Sequence, residues 1–121
     1  MAKVMVVDDS AYARRVHRSI LESSGYEVVE ASTGMGALEI YFLERPDVVM
    51  LDLSMEDMGG LDVLRKLRQM DSSARVIVVS ADIQRSTGEM ALAAGAYRFV
   101  GKPVKAEELT TLLDALVKTP Q

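Results

Sequence analysis

Five short, nearly continuous runs of apolar residues recur along the chain, and each is followed by polar or turn-forming residues. Runs of this kind are typical of strands that are covered on both faces of a sheet. They predict five strands, at Val4–Val7, Tyr26–Glu30, Asp47–Leu53, Arg75–Ala81 and Tyr97–Val100.

The segments that follow the strands carry apolar residues at the three- and four-residue spacing of a helix with one buried face. Ser10 is placed to cap the first helix, and Ser32 or Thr33 to start the second. Gly95 is placed to end the fourth helix in a left-handed conformation. The five predicted helices are marked by Ala13, Val16, Ile20 and Leu21; by Ala37, Leu38, Tyr41 and Phe42; by Leu61, Leu64 and Leu67; by the segment Arg85–Ala94; and by Leu109, Leu112, Leu113 and Leu116.

Strand and helix therefore alternate five times, which predicts an α/β fold. Parallel strands need crossover connections, and right-handed helical crossovers cover both faces of the sheet. We expect a five-stranded parallel sheet in three layers. Ligands of such sheets bind beyond the carboxyl ends of the strands.

The polar residues of the chain collect at this edge of the predicted sheet. Asp8 and Asp9 follow the first strand, Asp52 lies in the third strand near its end, Ser80 ends the fourth, and Lys102 follows the fifth. Two carboxylates 4 Å apart repel by about 4 kcal/mol at an effective dielectric constant near 20. A hard divalent cation removes this repulsion, and magnesium prefers carboxylate and carbonyl oxygens. The pattern predicts a magnesium site.

The same residues indicate a reaction. Asp52 stands apart from the acidic pair, on a different strand. A carboxylate that faces a magnesium ion, a lysine and a serine hydroxyl can attack phosphorus and form an aspartyl-phosphate. Lys102 would offset charge on the phosphoryl oxygens, and the Ser80 hydroxyl would donate to one of them.

Composition narrows the class of protein. The chain has 121 residues, 49% of them apolar, which fits one domain over residues 1–121. The formal charge of −4 argues against direct binding of nucleic acid. No apolar run is long enough to cross a bilayer, and the amino terminus lacks the zones of a signal peptide. We therefore expect a cytoplasmic protein that does not bind a membrane.

Four sequence blocks, "MVVDDS", "VVMLDLSM", "VIVVSA" and "AGAYRFVGKP", occur together in this order. With them the chain resembles the receiver domain of two-component response regulators, and most closely a stand-alone receiver of the chemotaxis type. The resemblance covers essentially the whole chain. It implies a flavodoxin-like, doubly wound (βα)5 fold with strand order 2-1-3-4-5.

The resemblance also implies roles for the acidic residues. Asp52 is the phosphoacceptor, and the donor is the phosphohistidine of a histidine kinase or a phosphotransfer protein. Asp9 binds Mg²⁺ directly, with Mn²⁺ as the alternative ion, and Asp8 supports the ion through water. Asp52 and the main-chain carbonyl of Ser54 complete the metal site.

A two-state switch is implied as well. Lys102 pairs with the phosphoryl group, and Ser80 moves toward it, which empties space for Phe99 to turn inward. Phe99 lacks the hydroxyl of a tyrosine, so we expect its inward state to be favoured. The face formed by the fourth helix, the fifth strand and the fifth helix then changes shape for a downstream protein. We expect a monomer or weak dimer.

The chain departs from the family pattern after Asp52. Glu56 stands where proline is common, and Gly59 stands where aspartate is common. Glu56 and Asp57 add negative charge beside the phosphorylation site, which predicts slower phosphorylation or altered metal affinity. Asp82 occupies a position thought to tune hydrolysis in the family, where its carboxylate could orient a water.

His17 is the only histidine, and it sits among apolar positions of the first predicted helix. A phospho-donor role is one interpretation, but such histidines stand exposed on helical bundles. We favour a packed or edge histidine, with a partner contact as the alternative.

Two other functions compete with a phosphorylated receiver. The first is an interaction module that has the fold but is not regulated by phosphorylation; the complete set of polar residues argues against it. The second is a magnesium-dependent phosphohydrolase with an aspartyl nucleophile. Ser54, two residues past Asp52, is not a general acid, and the chain has no cap segment, so this function is disfavoured. Any hydrolysis is expected to be of the chain's own phosphoryl group.

Overall fold

Strands and helices alternate along the chain, as the apolar pattern predicts. The computed structural model describes residues 2–55 and 57–118. None of the helices in this described part combines the length and the apolar character that a bilayer crossing requires. The strands are β1 (Lys3–Val7), β2 (Glu27–Ala31), β3 (Val48–Asp52), β4 (Val76–Ser80) and β5 (Arg98–Gly101). The helices are α1 (Ala11–Ser23), α2 (Gly34–Glu44), α3 (Gly60–Met70), α4 (Arg85–Ala93) and α5 (Ala106–Lys118).

The five strands form one parallel sheet in the order β2-β1-β3-β4-β5. The predicted order 2-1-3-4-5 is therefore confirmed. Every residue of β3 and β4 is buried, because helices cover both faces of the sheet. The order reverses between β1 and β3, and the carboxyl ends of these two neighbouring strands mark the switch point where such sheets bind ligands.

Successive residues of each strand point to opposite faces, so the sheet separates two apolar cores. Two successive residues of β1 show this division. Met5 packs with the core under α2, α3 and α4, and Val6 packs with the core under α1 and α5. The helical residues of the first core include Ala37, Tyr41, Val63, Leu64, Leu67 and Ala91. Those of the second core include Leu21, Leu109, Leu113 and Leu116. The predicted three layers are confirmed.

Three of the predicted helix boundaries are confirmed by their capping geometry. The Ser10 hydroxyl oxygen accepts a hydrogen bond from the Ala13 N–H at 3.2 Å. Of the two candidates at the start of α2, Thr33 is the cap, and its hydroxyl oxygen accepts from the Gly36 N–H at 2.9 Å. Gly95 has a φ of +111°, the left-handed conformation that ends α4.

One residue of the predicted α2 stripe does not pack. Phe42 is 62% exposed, whereas Tyr41 is 2% exposed. The reason is that adjacent helical residues differ by about 100° around the axis, so Phe42 points to solvent when its neighbour faces the sheet. The Arg45 guanidinium lies 5.7 Å from the centre of the Phe42 ring and covers part of it.

The start of α3 lies against the end of β3, and this contact leaves no room for a side chain at Gly60. A Cβ atom there would lie 2.5 Å from the Leu53 Cα and 2.9 Å from the Asp52 carbonyl oxygen. At Gly59 the nearest atom to such a Cβ would be an Asp62 carboxylate oxygen, at 3.8 Å.

We predict that Gly60→Ser lowers the free energy of unfolding by about 1–3 kcal/mol, because the new side chain overlaps backbone atoms that cannot move independently. The matched control, Gly59→Ser, meets no atom closer than 3.8 Å and supplies a capping hydroxyl, so it leaves stability unchanged or slightly higher. Urea unfolding followed by circular dichroism measures both. Equal losses at the two positions would show that the close approach is not the cause.

Candidate functional site

The structure brings the predicted polar residues to the carboxyl edge of the sheet. Asp8 and Asp9 follow β1, Asp52 ends β3, Ser80 ends β4, and Lys102 follows β5. In the pairing of β3 with β4, Asp52 lies opposite Val79, so Ser80 stands one residue beyond it at the same edge. Parallel topology alone accounts for this arrangement, since these residues are far apart along the chain.

Three carboxylates form the acidic part of the site. Asp8, Asp9 and Asp52 each offer a carboxylate oxygen, and these oxygens lie within 4.8 Å of one another. Asp8 and Asp52 are buried, at 2% and 5% exposure, whereas Asp9 is exposed to solvent. Oxygen donors that converge in this way, with one side open to water, fit the preference of Mg²⁺, which keeps several of its waters.

Lys102 bridges two of these carboxylates. Its ammonium Nζ donates to Asp8 Oδ2 at 2.9 Å and lies 3.4 Å from Asp52 Oδ2. Burial acts to lower the pKa of Lys102, but the hydrogen bond to Asp8 and the charges of Asp52 and Asp8 outweigh it and raise the pKa. Lys102 is therefore charged at neutral pH. The Lys102-Pro103 peptide bond is cis.

Asp52 is held in a less favourable environment than an ordinary aspartate. Burial raises the pKa of its carboxyl, and the negative charge of Asp8 adds to this effect. The Ser54 N–H, which donates to Asp52 Oδ1 at 3.2 Å, and the Lys102 ammonium oppose it without cancelling it. The ionised carboxylate is thus short of compensating charge, and it gains from any further cation that reaches it.

Hydrogen bonds connect the Ser80 hydroxyl to the start of α4. The Asp82 N–H donates to the Ser80 Oγ at 3.0 Å. The Asp82 carboxylate in turn accepts from the Gln84 N–H at 3.0 Å and from the Thr87 hydroxyl at 2.8 Å, and the Gln84 N–H is the main cause of its lowered pKa. Asp82 therefore binds the first turn of α4, and a role in orienting a water stays a prediction.

Phe99, the predicted switch aromatic, is half-buried on β5 and packs against α4. Its ring lies beside Gly88, where a Cβ atom would be 3.4 Å from the Phe99 Cδ2. A Cβ atom at position 88 would therefore make an ordinary van der Waals contact with the ring. The role of Phe99 as a switch stays a prediction, as do the roles assigned to Ser80 and to the Ser54 carbonyl.

The prediction of a packed histidine is confirmed, since His17 is 6% exposed. It lines a groove of about 460 Å³ together with Tyr12, Val16, Lys102 and Pro103, among other residues. Burial and the positive charge of Lys102 lower the pKa of His17, against smaller opposite effects of Asp8 and Asp52. His17 is therefore neutral at pH 7.

In the loop after β3, the Asp57 carboxylate accepts hydrogen bonds from the Gly34 N–H at 2.9 Å and the Met35 N–H at 3.2 Å. Asp57 thus stabilises the amino terminus of α2, where a negative charge is favoured. The effect of its negative charge on phosphorylation and metal affinity stays a prediction. Glu56, the other departure from the family pattern, lies outside the described residues, so its effect stays a prediction.

Sequence reasoning also missed Arg14, whose guanidinium donates to the main-chain carbonyl of Asp8 at 2.6 Å. Arg14 lies on α1, five residues past Asp9, and its spacing there matches an ordinary solvent-facing charge. An arginine on the helix directly after an acidic turn was the only available signal, and it is too common to be decisive.

A doubly wound parallel sheet whose switch point carries three carboxylates and a lysine defines a class of α/β proteins with a cation site at the strand ends. The family model described as the response regulator receiver domain matches residues 4–114. The chain therefore belongs to the response regulator receiver domain family of two-component signalling. Receiver domains of this family bind Mg²⁺ in their acidic pocket, and they are signalling proteins rather than classical enzymes.

Individual relatives agree with this assignment. The chain is 39% identical over 118 residues to the chemotaxis protein CheY of Bacillus subtilis, covering 97% of this chain and 96% of that protein. It is 30% identical over 107 residues to the sporulation initiation phosphotransferase F of the same organism, covering 88% and 86%. Among solved structures, the CheX-CheY-BeF3-Mg complex from Borrelia burgdorferi contains a chain with a TM-score of 0.92 and 27% identity, covering 98% and 90%.

The crowding of the carboxylates predicts that Asp52→Asn stabilises the metal-free protein at pH 7, because burial and the negative charge of Asp8 raise the pKa of Asp52 and so disfavour its ionised form. A raised folded-state pKa means that stability is lost as pH rises through that pKa, so the gain shrinks as pH falls toward 4. Asp9→Ala should act in the same direction. Urea unfolding in the presence of a chelator measures the effect.

Asp71→Asn is the control for this prediction. The pKa of Asp71 is lowered by hydrogen bonds from Ser73 and Tyr41, so its neutral variant is expected to lose stability at pH 7. If Asp52→Asn unfolds at a lower urea concentration than the wild type, the ionised Asp52 carboxylate does not destabilise the metal-free fold, and the electrostatic argument is wrong.

The position of Lys102 predicts competition between its ammonium and a bound cation. Removing this charge in Lys102→Met is expected to tighten Mg²⁺ binding roughly thirtyfold, which corresponds to about 2 kcal/mol for a single and a double charge 4 Å apart in water. Titration calorimetry measures the affinity. Lys105→Met removes the same charge from an exposed site nearby and should change the affinity little. Weaker binding by Lys102→Met would mean that the lysine organises the carboxylates.

Proposed function

We propose that this chain is a response regulator receiver that accepts a phosphoryl group on Asp52, in a magnesium-dependent reaction, from the phosphohistidine of a histidine kinase or a phosphotransfer protein. The observation that carries the proposal is the buried Asp52 carboxylate, which lies between the Lys102 ammonium at 3.4 Å and two further carboxylates within 4.8 Å. The similarity to a sporulation phosphotransferase supports the same chemistry.

The reaction is a transfer between two nucleophiles. An Asp52 carboxylate oxygen forms the new bond to phosphorus, the phosphorus–nitrogen bond of the phosphohistidine breaks, and its electron pair stays on the imidazole. The Lys102 ammonium is placed to pair with one phosphoryl oxygen. The Ser80 hydroxyl would donate a hydrogen bond to a second phosphoryl oxygen. Because the ammonium is already in place before the reaction, little reorganisation is needed as charge shifts.

The metal site consists of Asp8, Asp9 and Asp52 with the main-chain carbonyl of Ser54. Asp9 is the one exposed carboxylate and would bind the ion directly, with Asp8 acting through water. When bound, Mg²⁺ supplies positive charge that offsets the repulsion between Asp52 and the incoming phosphoryl oxygens. Mn²⁺ has the same preference for oxygen ligands. The similar CheY chain solved with BeF3 and Mg supports this assignment.

Phosphorylation would be read out at the face formed by α4, β5 and α5. When the Ser80 hydroxyl turns to donate to the phosphoryl group, its oxygen no longer accepts the hydrogen bond from the Asp82 N–H. Asp82 lies just before α4, so this change affects the start of that helix. Phe99 lies against Gly88 of the same helix and would turn inward. The altered face binds a downstream protein, as CheX binds the similar CheY chain in the solved complex.

We further propose that residues 1–121 form one receiver domain in the cytoplasm, as a monomer or weak dimer. Its partners are then proteins, with no direct contact to nucleic acid or membrane. The formal charge of −4 supports the exclusion of nucleic acid.

The test is the intact mass of the protein after incubation with acetyl phosphate and Mg²⁺. The wild type should gain a single phosphoryl group, and Asp52→Asn should gain none, because the nucleophilic oxygen is lost. Asp71→Asn, which alters a carboxylate outside the site, should be modified like the wild type. A wild type that gains nothing would favour the alternative, a receiver-fold interaction module that phosphorylation does not regulate.

A further inference from the structure

Arg14 connects α1 to the acidic turn and to the neighbouring strand β2. Its Nη1 donates to the Asp8 carbonyl oxygen at 2.6 Å, and its Nε donates to Glu30 Oε1 at 3.0 Å. The side chain is 18% exposed, so both hydrogen bonds are partly shielded from water. One guanidinium thus holds two groups that lie on different elements of the fold.

The carbonyl that Arg14 holds belongs to the peptide between Asp8 and Asp9. The other polar groups of Asp8 are also engaged: its N–H donates to the Ala31 carbonyl at 3.2 Å, and its carboxylate accepts from the Ser10 N–H and from Lys102. The Asp9 carboxylate, in contrast, has no hydrogen bond among the residues that the structure describes. Because no neighbouring side chain in the described part orients the Asp9 carboxylate, the direction of the Asp9 side chain depends on the backbone, and so on the orientation of the Asp8–Asp9 peptide.

Glu30 fixes Arg14 in turn. Its second oxygen accepts from Arg18 Nη1 at 2.6 Å, and Arg18 Nε also donates to Glu22. Hydrogen bonds from Arg18 and Arg14 lower the pKa of Glu30, so it is ionised at neutral pH. The charge of Arg14 is compensated by Glu30, which lets an arginine lie next to a cation site without a net repulsive charge.

We propose that Arg14 is a positioning residue for magnesium: its hydrogen bond to the Asp8 carbonyl, fixed by Glu30, holds the Asp8–Asp9 peptide in the orientation in which Asp9 meets the ion. This inference rests on the proposed function. Arg14 touches neither the ion nor the phosphoryl group, and it acts only through the peptide that carries the ligands. Partners of this kind orient metal ligands in many proteins.

Electrostatics alone predicts the opposite effect, which makes the idea testable. Removing a positive charge near a divalent cation should strengthen binding. If Arg14 positions the peptide, its removal weakens binding despite this change in charge. The sign of the effect therefore distinguishes the two explanations.

The experiment measures Mg²⁺ affinity by titration calorimetry for the wild type and for Arg14→Ala, Arg14→Lys and Arg18→Ala. Arg14→Ala should bind about tenfold more weakly, the lower end of the effect of such partners on metal affinity. Arg18 also contacts Glu30 but not Asp8. Arg18→Ala therefore removes the same charge without changing the contact to Asp8, and its Mg²⁺ affinity should stay within about twofold of the wild type. Arg14→Lys keeps the charge but lacks the planar two-point geometry, and it should also bind more weakly.

A second measurement separates positioning from a general loss of structure. With acetyl phosphate as donor, Arg14→Ala should need more Mg²⁺ for half-maximal phosphorylation and should reach the wild-type rate when Mg²⁺ is saturating. Circular dichroism and thermal unfolding with chelator check the fold. If Arg14→Ala does not fold, Arg14→Lys provides the same comparison.

The outcomes separate this inference from the proposed function. A wild type that binds Mg²⁺ and is phosphorylated, with an Arg14→Ala variant that binds equally well or more tightly, overturns the positioning role and leaves the proposed function intact. A lower rate of Arg14→Ala at saturating Mg²⁺ with unchanged affinity also overturns it. A wild type that neither binds Mg²⁺ nor is phosphorylated overturns both.

Discussion

The bridge that Lys102 makes between Asp8 and Asp52 is the interaction on which the rest of the site depends. Parallel strands deliver their carboxyl ends to one edge, so acidic residues placed there are forced together whatever their separation in sequence. The ammonium at 2.9 and 3.4 Å compensates part of that repulsion and keeps two nearly buried carboxylates in place. Removing the lysine would leave two buried carboxylates without this compensation, so the three side chains act as a unit.

The surrounding polar atoms hold this unit in position and connect it to the helices. Backbone N–H groups of Ser10 and Ser54 orient the two buried carboxylates. On the other side of the site, the Ser80 hydroxyl is bound by the N–H of Asp82, whose carboxylate binds the first turn of α4. Asp82 therefore connects the Ser80 hydroxyl to α4, and a change in the direction of that hydroxyl alters a hydrogen bond at the start of the helix. The same helix carries Gly88, against which the Phe99 ring packs.

Local patterns predicted the architecture and the main residues of the site. Apolar runs have the period of the elements they form, so the five strands and the caps at Ser10 and Thr33 could be located within a residue or two. Strand ends in a parallel sheet share an edge, so the grouping of acidic residues with Lys102 followed from topology. Phe42 was misplaced because helical periodicity defines a stripe only to within about one position, and contact with the sheet decides which residue faces it.

The sequence by itself determined the order and kind of the elements, the edge of the sheet at which the polar site residues lie and the identity of the charged groups there. Only the tertiary structure decided how those groups are held. Arg14 meets Glu30 from a different element, Asp57 caps a helix that begins 23 residues before it, and Asp82 turns to α4. Such partners are set by the distances between packed elements, which no local periodicity encodes, because a hydrogen bond requires a match of a few tenths of an ångström.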